Sequence, residues 1–170
     1  MSTATTPFTG RAFSVRVEDV EYAPGRRHSI ETVVHSNAVT IVPVDADGRV
    51  VLVRQYRHSA REVLLELPAG GLNEGEDPAT AAGRELQEEI GMRAGRIEPL
   101  GGFWLAPGYS TEYMHVFLAR DLKPDPLEQD EDEQIEVVPV PAADVQALIA
   151  RGELRDAKSL AALLLWTQPR

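Results

Sequence analysis

Residues 70–92, GGLNEGEDPATAAGRELQEEIGM, constrain this chain more than any other stretch. Glu85, Glu88 and Glu89 recur at helical spacing, so a helix brings them onto one side. Carboxylates at that density repel one another unless a cation lies among them. Both helix ends are marked: Asp77 suits the N-cap, Pro78 the first helical position and Gly91 the C-terminal closure. A helix is therefore predicted over 78–90, with Gly83 costing it roughly 0.5–1 kcal/mol relative to alanine. Pro68-Ala69-Gly70-Gly71 leads a strand into it through a tight turn, where backbone can approach a ligand. An all-oxygen donor set suits Mg²⁺ or Mn²⁺, which keep several waters and also bind phosphate oxygens. A solvated acidic face is the better explanation of the triplet alone, and the flanking residues turn the balance towards the metal site. Glu76, just before the helix, and Arg84, within it, are placed to pair.

The remaining chain is rich in strand signals. Residues 12–20 alternate apolar and polar, and 29–35 read as a second strand. The valine-rich runs 38–44 and 49–55 form a hairpin through Asp45-Ala46-Asp47-Gly48, where Gly48 can take positive φ. Further strands are predicted over 62–67 (ended by Pro68), 96–105, 113–119 and 135–140. Residues 1–10 are expected to be mobile, and the acidic, proline-bearing run 121–133 to be a loop. Two more helices are predicted over 141–151 and 157–166. The expected fold is an α/β/α sandwich with a mixed sheet and helices on both sides. Its organisation is an N-terminal antiparallel β appendage over residues 1–37 and a main domain over 38–170.

Composition excludes several classes. A chain of 170 residues can bury a core without disulfides, and it has no cysteine for disulfide, zinc or redox chemistry. The formal charge of −10 argues against a nucleic-acid partner, which usually meets a basic face. No secretory signal and no membrane-spanning apolar run is visible, so the expectation is a cytoplasmic protein with no membrane partner.

Gly70, Glu76 and the run Arg84-Glu85-Leu86-Gln87-Glu88-Glu89-Ile90-Gly91-Met92 resemble the complete signature of the Nudix hydrolases, with every specified position filled. These enzymes cleave nucleoside diphosphates linked to another moiety by water attack at phosphorus, assisted by divalent metal. The resemblance implies metal ligation by Glu85, Glu88, Glu89 and the main-chain carbonyl of Ala69, with Glu88 also counted among the catalytic residues. It implies a structural ion pair between Glu76 and Arg84. Mg²⁺ is the expected cofactor, with Mn²⁺ as the alternative.

Three further segments resemble the ADP-ribose pyrophosphatases within that family: Val53-Arg54-Gln55-Tyr56-Arg57, Glu66-Leu67-Pro68-Ala69-Gly70 and Ala106-Pro107-Gly108-Tyr109-Ser110-Thr111-Glu112. By this resemblance Arg57 contacts the diphosphate, Gly108 shapes the loop, and Glu112 binds substrate or a metal-bound water. A surface ion pair is the competing reading for Arg57, and a loop-capping carboxylate for Glu112. Two departures stand out: Gly71 replaces a usual bulky apolar residue, and Ala106 a frequent serine. The resemblance also implies a general base on the acidic loop, either Glu131 or Glu133, with Glu131 the first candidate. In this group N-terminal strands commonly cross to a partner subunit, so a homodimer is expected. The four histidines, His28, His35, His58 and His115, show no ligand spacing and read as surface or packing residues. The expected reaction is hydrolysis of ADP-ribose to AMP and ribose 5-phosphate. The alternatives are another nucleoside diphosphate derivative (GDP-mannose, FAD or NADH), or a Nudix-like binding module without turnover.

Overall fold

The structure is a computed structural model that describes residues 4–128 and 134–168. Its centre is built from valine-rich strands buried on both faces. β4 (Ala38–Pro43) and β5 (Arg49–Arg57) carry almost unbroken apolar runs, as strands covered on both sides do. Successive side chains point to opposite faces, which sorts the core into two halves. Val39, Ile41, Val51, Val53, Phe117 and Ala119 pack beneath one layer of helix, and Val42, Val50, Leu52, Val116 and Leu118 beneath the other. Each fully buried valine or leucine contributes roughly 1.5–3 kcal/mol.

The first layer is α1 (Pro78–Glu89), which meets its half of the core through Ala81, Ala82 and Leu86. The second is α2 (Val145–Ala150) with α3 (Ala157–Thr167), through Val145, Leu148, Ala162 and Leu163. This is the expected α/β/α sandwich, but its strands divide between two sheets. One has the order β10 (Ile135–Pro141), β5, β6 (Glu62–Glu66); the other runs β7 (Ala69–Gly71), β4, β9 (Tyr113–Pro124), β8 (Met92–Trp104). The second is mixed, because β4 and β9 run parallel while the other pairs are antiparallel. Pro68 makes the division: the chain leaves β6 there and enters β7 in the other sheet. The Pro68 carbonyl accepts from the Ile41 amide at 2.9 Å and the Thr40 hydroxyl at 3.2 Å.

The N-terminal appendage is a separate antiparallel sheet of β1 (Ala4–Thr9), β2 (Phe13–Ala23) and β3 (Arg26–His35). The expectation of a mobile start is corrected here, since Ala4–Thr9 pairs with β2. A ring contact between Phe8 and Phe13, centroids 5.6 Å apart, adds to the main-chain bonds. None of residues 4–37 is buried.

Other boundaries moved as well. β8 and β9 extend into a long hairpin, so β9 continues to Pro124 through the charged residues expected to be loop. Main-chain pairing with the start of β8 carries that extension. The helix predicted over 141–151 begins as a short 3-10 turn over Ala142–Asp144, because Pro141 supplies no side-chain cap. α1 matches its markers: the Asp77 carboxylate accepts from the Ala79 and Thr80 amides, and Gly91 takes φ +68° just beyond the end.

Candidate active site

α1 places its acids unequally. Glu85 and Glu89 lie four apart on the same buried face as Leu86, at 7% and 1% exposure, whereas Glu88 is half-buried. β7 runs against this face. The Ala69 amide donates to Glu89 Oε2 at 3.0 Å. Gly70 lies so close to Glu85 that a Cβ there would fall 2.1 Å from its carboxyl carbon. Absence of a side chain at Gly70 is therefore what admits the Glu85 carboxylate.

Arg84 organises the charge. Its Nε donates to Glu76 at 3.0 Å, and one terminal nitrogen donates to both Glu85 and Glu88 at 2.7 Å. The other reaches Glu76 at 3.1 Å and the Gly71 carbonyl at 3.0 Å. The Arg84 hydrogen bond holds the Glu76 carboxyl below its ordinary pKa, and the same bond raises that of Arg84. Among the described residues no three acidic or histidine side chains form a ready-made metal cluster. Arg84 instead draws Glu85 and Glu88 to itself. The donor chemistry still fits a hard divalent cation: carboxylate oxygens one helical turn apart, two of them buried, beside a glycine that leaves room.

A cleft of about 530 Å³ is lined by residues from the appendage and the main domain. Arg57 and Glu112, both singled out in the sequence, line it, but Gly108 does not. Arg57 is bonded to Glu66, through Nε at 3.0 Å and a terminal nitrogen at 2.7 Å. The ion pair weighed for Arg57 thus exists, and it joins a side chain in the cleft wall. Lys158 binds the same Glu66 oxygen, Oε2, that accepts from the Arg57 terminal nitrogen. Burial alone would raise the Glu66 pKa, but the Arg57 hydrogen bond and the charge of Lys158 bring it below the ordinary value. The loop bearing Glu112 is tied to β3. The Val33 amide donates to the Tyr109 carbonyl at 2.7 Å, and the Thr111 amide to the Val33 carbonyl at 3.0 Å. His35, read from sequence as surface or packing, therefore reaches the cleft, 3.9 Å from Glu112.

Glu66, Asp156 and Lys158 also line the cleft. Glu66 stands in one of the resembling segments but was given no role, and Asp156 and Lys158 stand in none. Asp156 carried one signal, as a capping residue just before an apolar helix. Glu131 and Glu133 lie outside the described residues.

Residues 34–163 match the NUDIX domain family, so the chain belongs to the Nudix hydrolases. Members of this family generally use divalent metal ions. Among individual proteins, the chain is 37% identical over 158 residues to an ADP-ribose pyrophosphatase of Bacillus subtilis (strain 168), covering 92% of this chain and 85% of that protein. It is 33% identical to a methanol dehydrogenase activator of Bacillus methanolicus, with the same coverage of each chain. The crystal structure of an ADP compounds hydrolase superposes with a TM-score of 0.87 at 32% identity, covering 96% of this chain and 89% of that one. Among the described residues no helix is long and apolar enough to cross a membrane.

Proposed function

We propose that this chain hydrolyses ADP-ribose to AMP and ribose 5-phosphate. One observation carries the reading: the acidic helix and the cleft are joined by a very short piece of chain. Glu66 stands in the cleft wall, and three residues later the Ala69 amide holds Glu89. A diphosphate at this junction would have acids on one side and Arg57 on the other. The similarity to an ADP-ribose pyrophosphatase over most of the chain supports the same substrate.

Glu85, Glu88, Glu89 and the Ala69 carbonyl would hold Mg²⁺, with Mn²⁺ as the alternative. Such an ion, when bound, offsets phosphate charge and makes water more acidic. Arg57 orients the diphosphate, and Glu112 engages the substrate beyond it. Gly108 keeps the intervening loop compact. Glu76 fixes Arg84, which in turn sets Glu85 and Glu88. The water oxygen bonds to phosphorus, its proton passes to Glu131 or Glu133, and the bridging P–O bond breaks with the electron pair leaving on the departing phosphate.

The active form is a homodimer, and its location is the cytoplasm. The appendage over residues 1–37 supports a dimer, since Phe8, Phe13 and Tyr22 remain exposed on a sheet that buries no residue of its own. The deciding experiment offers ADP-ribose, GDP-mannose, FAD and NADH with Mg²⁺ or Mn²⁺ and measures mononucleotide release. Preferential cleavage of ADP-ribose is expected. Equal or faster cleavage of GDP-mannose overturns the substrate, and no cleavage of any overturns the enzyme reading.

A further inference from the structure

α3 buries Ser159, Ala162 and Leu163, and Ser159 is the polar residue of the three. Alanine makes the stronger helix, and burying a hydroxyl costs free energy unless it is bonded, so a serine here needs a use for its oxygen. Helical serines commonly turn the hydroxyl back to their own preceding turn. The Ser159 hydroxyl instead accepts from the Leu67 amide at 2.7 Å, 92 residues away in sequence. Leu67 lies just past the end of β6, beyond the last residue that β6 pairs with β5. Leu67 and Ser159 are both fully buried, so water does not stand in for this bond.

The link from Glu66 to Ala69 is held at every residue, each time by a distant element. Lys158 of α3 binds the Glu66 carboxylate, and its neighbour Ser159 binds the Leu67 amide. β4 holds the Pro68 carbonyl through Ile41 and Thr40, and Glu89 of α1 holds the Ala69 amide. Pro68 has a fixed φ, so an orientation set at Leu67 is passed on to Ala69 with one rotation fewer to absorb it. Ser159 does not line the cleft, so contact with a ligand there is not its use.

We propose that Ser159 is a positioning residue of the metal site: by fixing the Leu67 amide it sets the main chain at Ala69, whose amide holds Glu89 and whose carbonyl is among the proposed ligands. Without the hydroxyl, the Leu67 amide is left buried with no acceptor, which costs more than the bond itself contributes. The link relieves that cost by moving, and Ala69 moves with it. This rests on the metal reading of α1, which it deepens by making the first turn of α3 a support of the site.

The test begins with the metal-free, full-length protein. Amide hydrogen exchange is followed by NMR in the wild type, Ser159→Ala and Ala162→Gly. Ser159→Ala should speed exchange at Leu67 and also at Ala69, which Ser159 does not bond, by roughly tenfold relative to the amides of the β8–β9 hairpin. Mn²⁺ titration of the same samples, read by water proton relaxation, should show binding weakened roughly tenfold. Ala162→Gly loosens the same helix without touching the link. It should lower the melting temperature while relative Ala69 exchange and Mn²⁺ affinity stay within about twofold of wild type. Should Ser159→Ala fail to fold, Ser159→Cys, whose sulfur is a weak acceptor, is read in the same way. Wild-type Ala69 exchange and Mn²⁺ affinity in a folded Ser159 variant, or an equal shift of both in Ala162→Gly, overturn the proposal. A wild type that binds no Mn²⁺ is a separate result: it overturns the metal reading, while Ala69 exchange still judges Ser159.

Discussion

Gly70→Ala is the smallest change that should disable this site. The added methyl would lie 2.1 Å from the Glu85 carboxyl carbon and Oε1, and 2.3 Å from Oε2, where ordinary contact begins near 3.4 Å. Something must move by more than 1 Å. A flexible, exposed carboxylate could swing aside at little cost. Glu85 is 7% exposed, and Arg84 grips its Oε1 at 2.7 Å. The carboxylate is therefore pushed off the line between α1 and β7, or β7 is pushed off Glu85, and Ala69 with it. A misplacement of about 1 Å at a reacting centre costs roughly a hundredfold in rate.

The fold should survive, because overpacking by one methyl costs about 1–3 kcal/mol, or a melting temperature lowered by no more than roughly 12 °C in a chain of this size. The assay is turnover of ADP-ribose against Mg²⁺ concentration, with thermal melting on the same sample. The expected result is a large loss of kcat, with more Mg²⁺ needed for half-saturation, in a folded protein. The double variant Gly70→Ala/Glu85→Ala should be no worse than Glu85→Ala alone, because the three atoms nearest the added methyl all belong to Glu85. Wild-type kcat and metal dependence in Gly70→Ala, or additive losses in the double variant, would refute the reasoning.

Glu89→Gln should lower turnover by orders of magnitude in a folded protein, and near-normal turnover at saturating Mg²⁺ removes Glu89 from the metal set. Glu66→Gln should cost about 3 kcal/mol, since it breaks a buried pair and leaves two cations short of a partner, and thermal melting at pH 7 should show it. The pKa of Glu66 is depressed on folding, so its contribution is fully present above the ordinary value of 4.5 and is lost as pH falls through the lower folded value. The acid side of the stability curve should therefore be shallower in Glu66→Gln, and an unchanged slope refutes the coupling. Comparing Glu131→Gln with Glu133→Gln in turnover identifies the general base, and two near-normal variants dismiss both. Deleting residues 1–37 should give a monomer by sedimentation at micromolar concentration and raise KM, since Val33 and His35 leave the cleft; a wild-type protein that is itself monomeric refutes the dimer.

What could be read from the sequence is what short-range rules control. α1 was legible to within a residue, because Asp77, Pro78 and Gly91 act on their immediate neighbours. The two-sided burial of β4 and β5 was legible because a continuous valine run has few other uses. The length of β9 was not, since its last residues are charged and are held by main-chain bonds to β8, which side-chain pattern does not reveal. β1 escaped for the same reason. Within the cleft, Arg57, Glu66 and Glu112 all belong to segments that resemble a known group, but only Arg57 and Glu112 took a role from it. Lys158 and Glu66 lie 92 residues apart and meet only when α3 packs against the end of β6. Nothing in the local sequence of either announces the other.

This difference in range also divides the chemistry. The acids of α1, with Ala69 and Gly70, occupy one helix and one short strand, so a substitution there should change turnover and metal dependence together. The cleft draws on β3, β5, β6, the 105–112 loop and the start of α3. Its shape depends on tertiary packing and on the ties between Val33, Tyr109 and Thr111. Changes there should move KM and substrate preference before they move kcat. The two regions touch at Glu66–Ala69, where Pro68 carries the chain from one sheet to the other. Pro68→Ala is then the informative crossing point: it keeps the carbonyl that Thr40 and Ile41 use but releases the fixed φ. Loosening that link should degrade kcat and KM together, unlike substitutions on either side. A Pro68→Ala variant in which only one of the two changes would show that the acidic helix and the cleft are positioned independently.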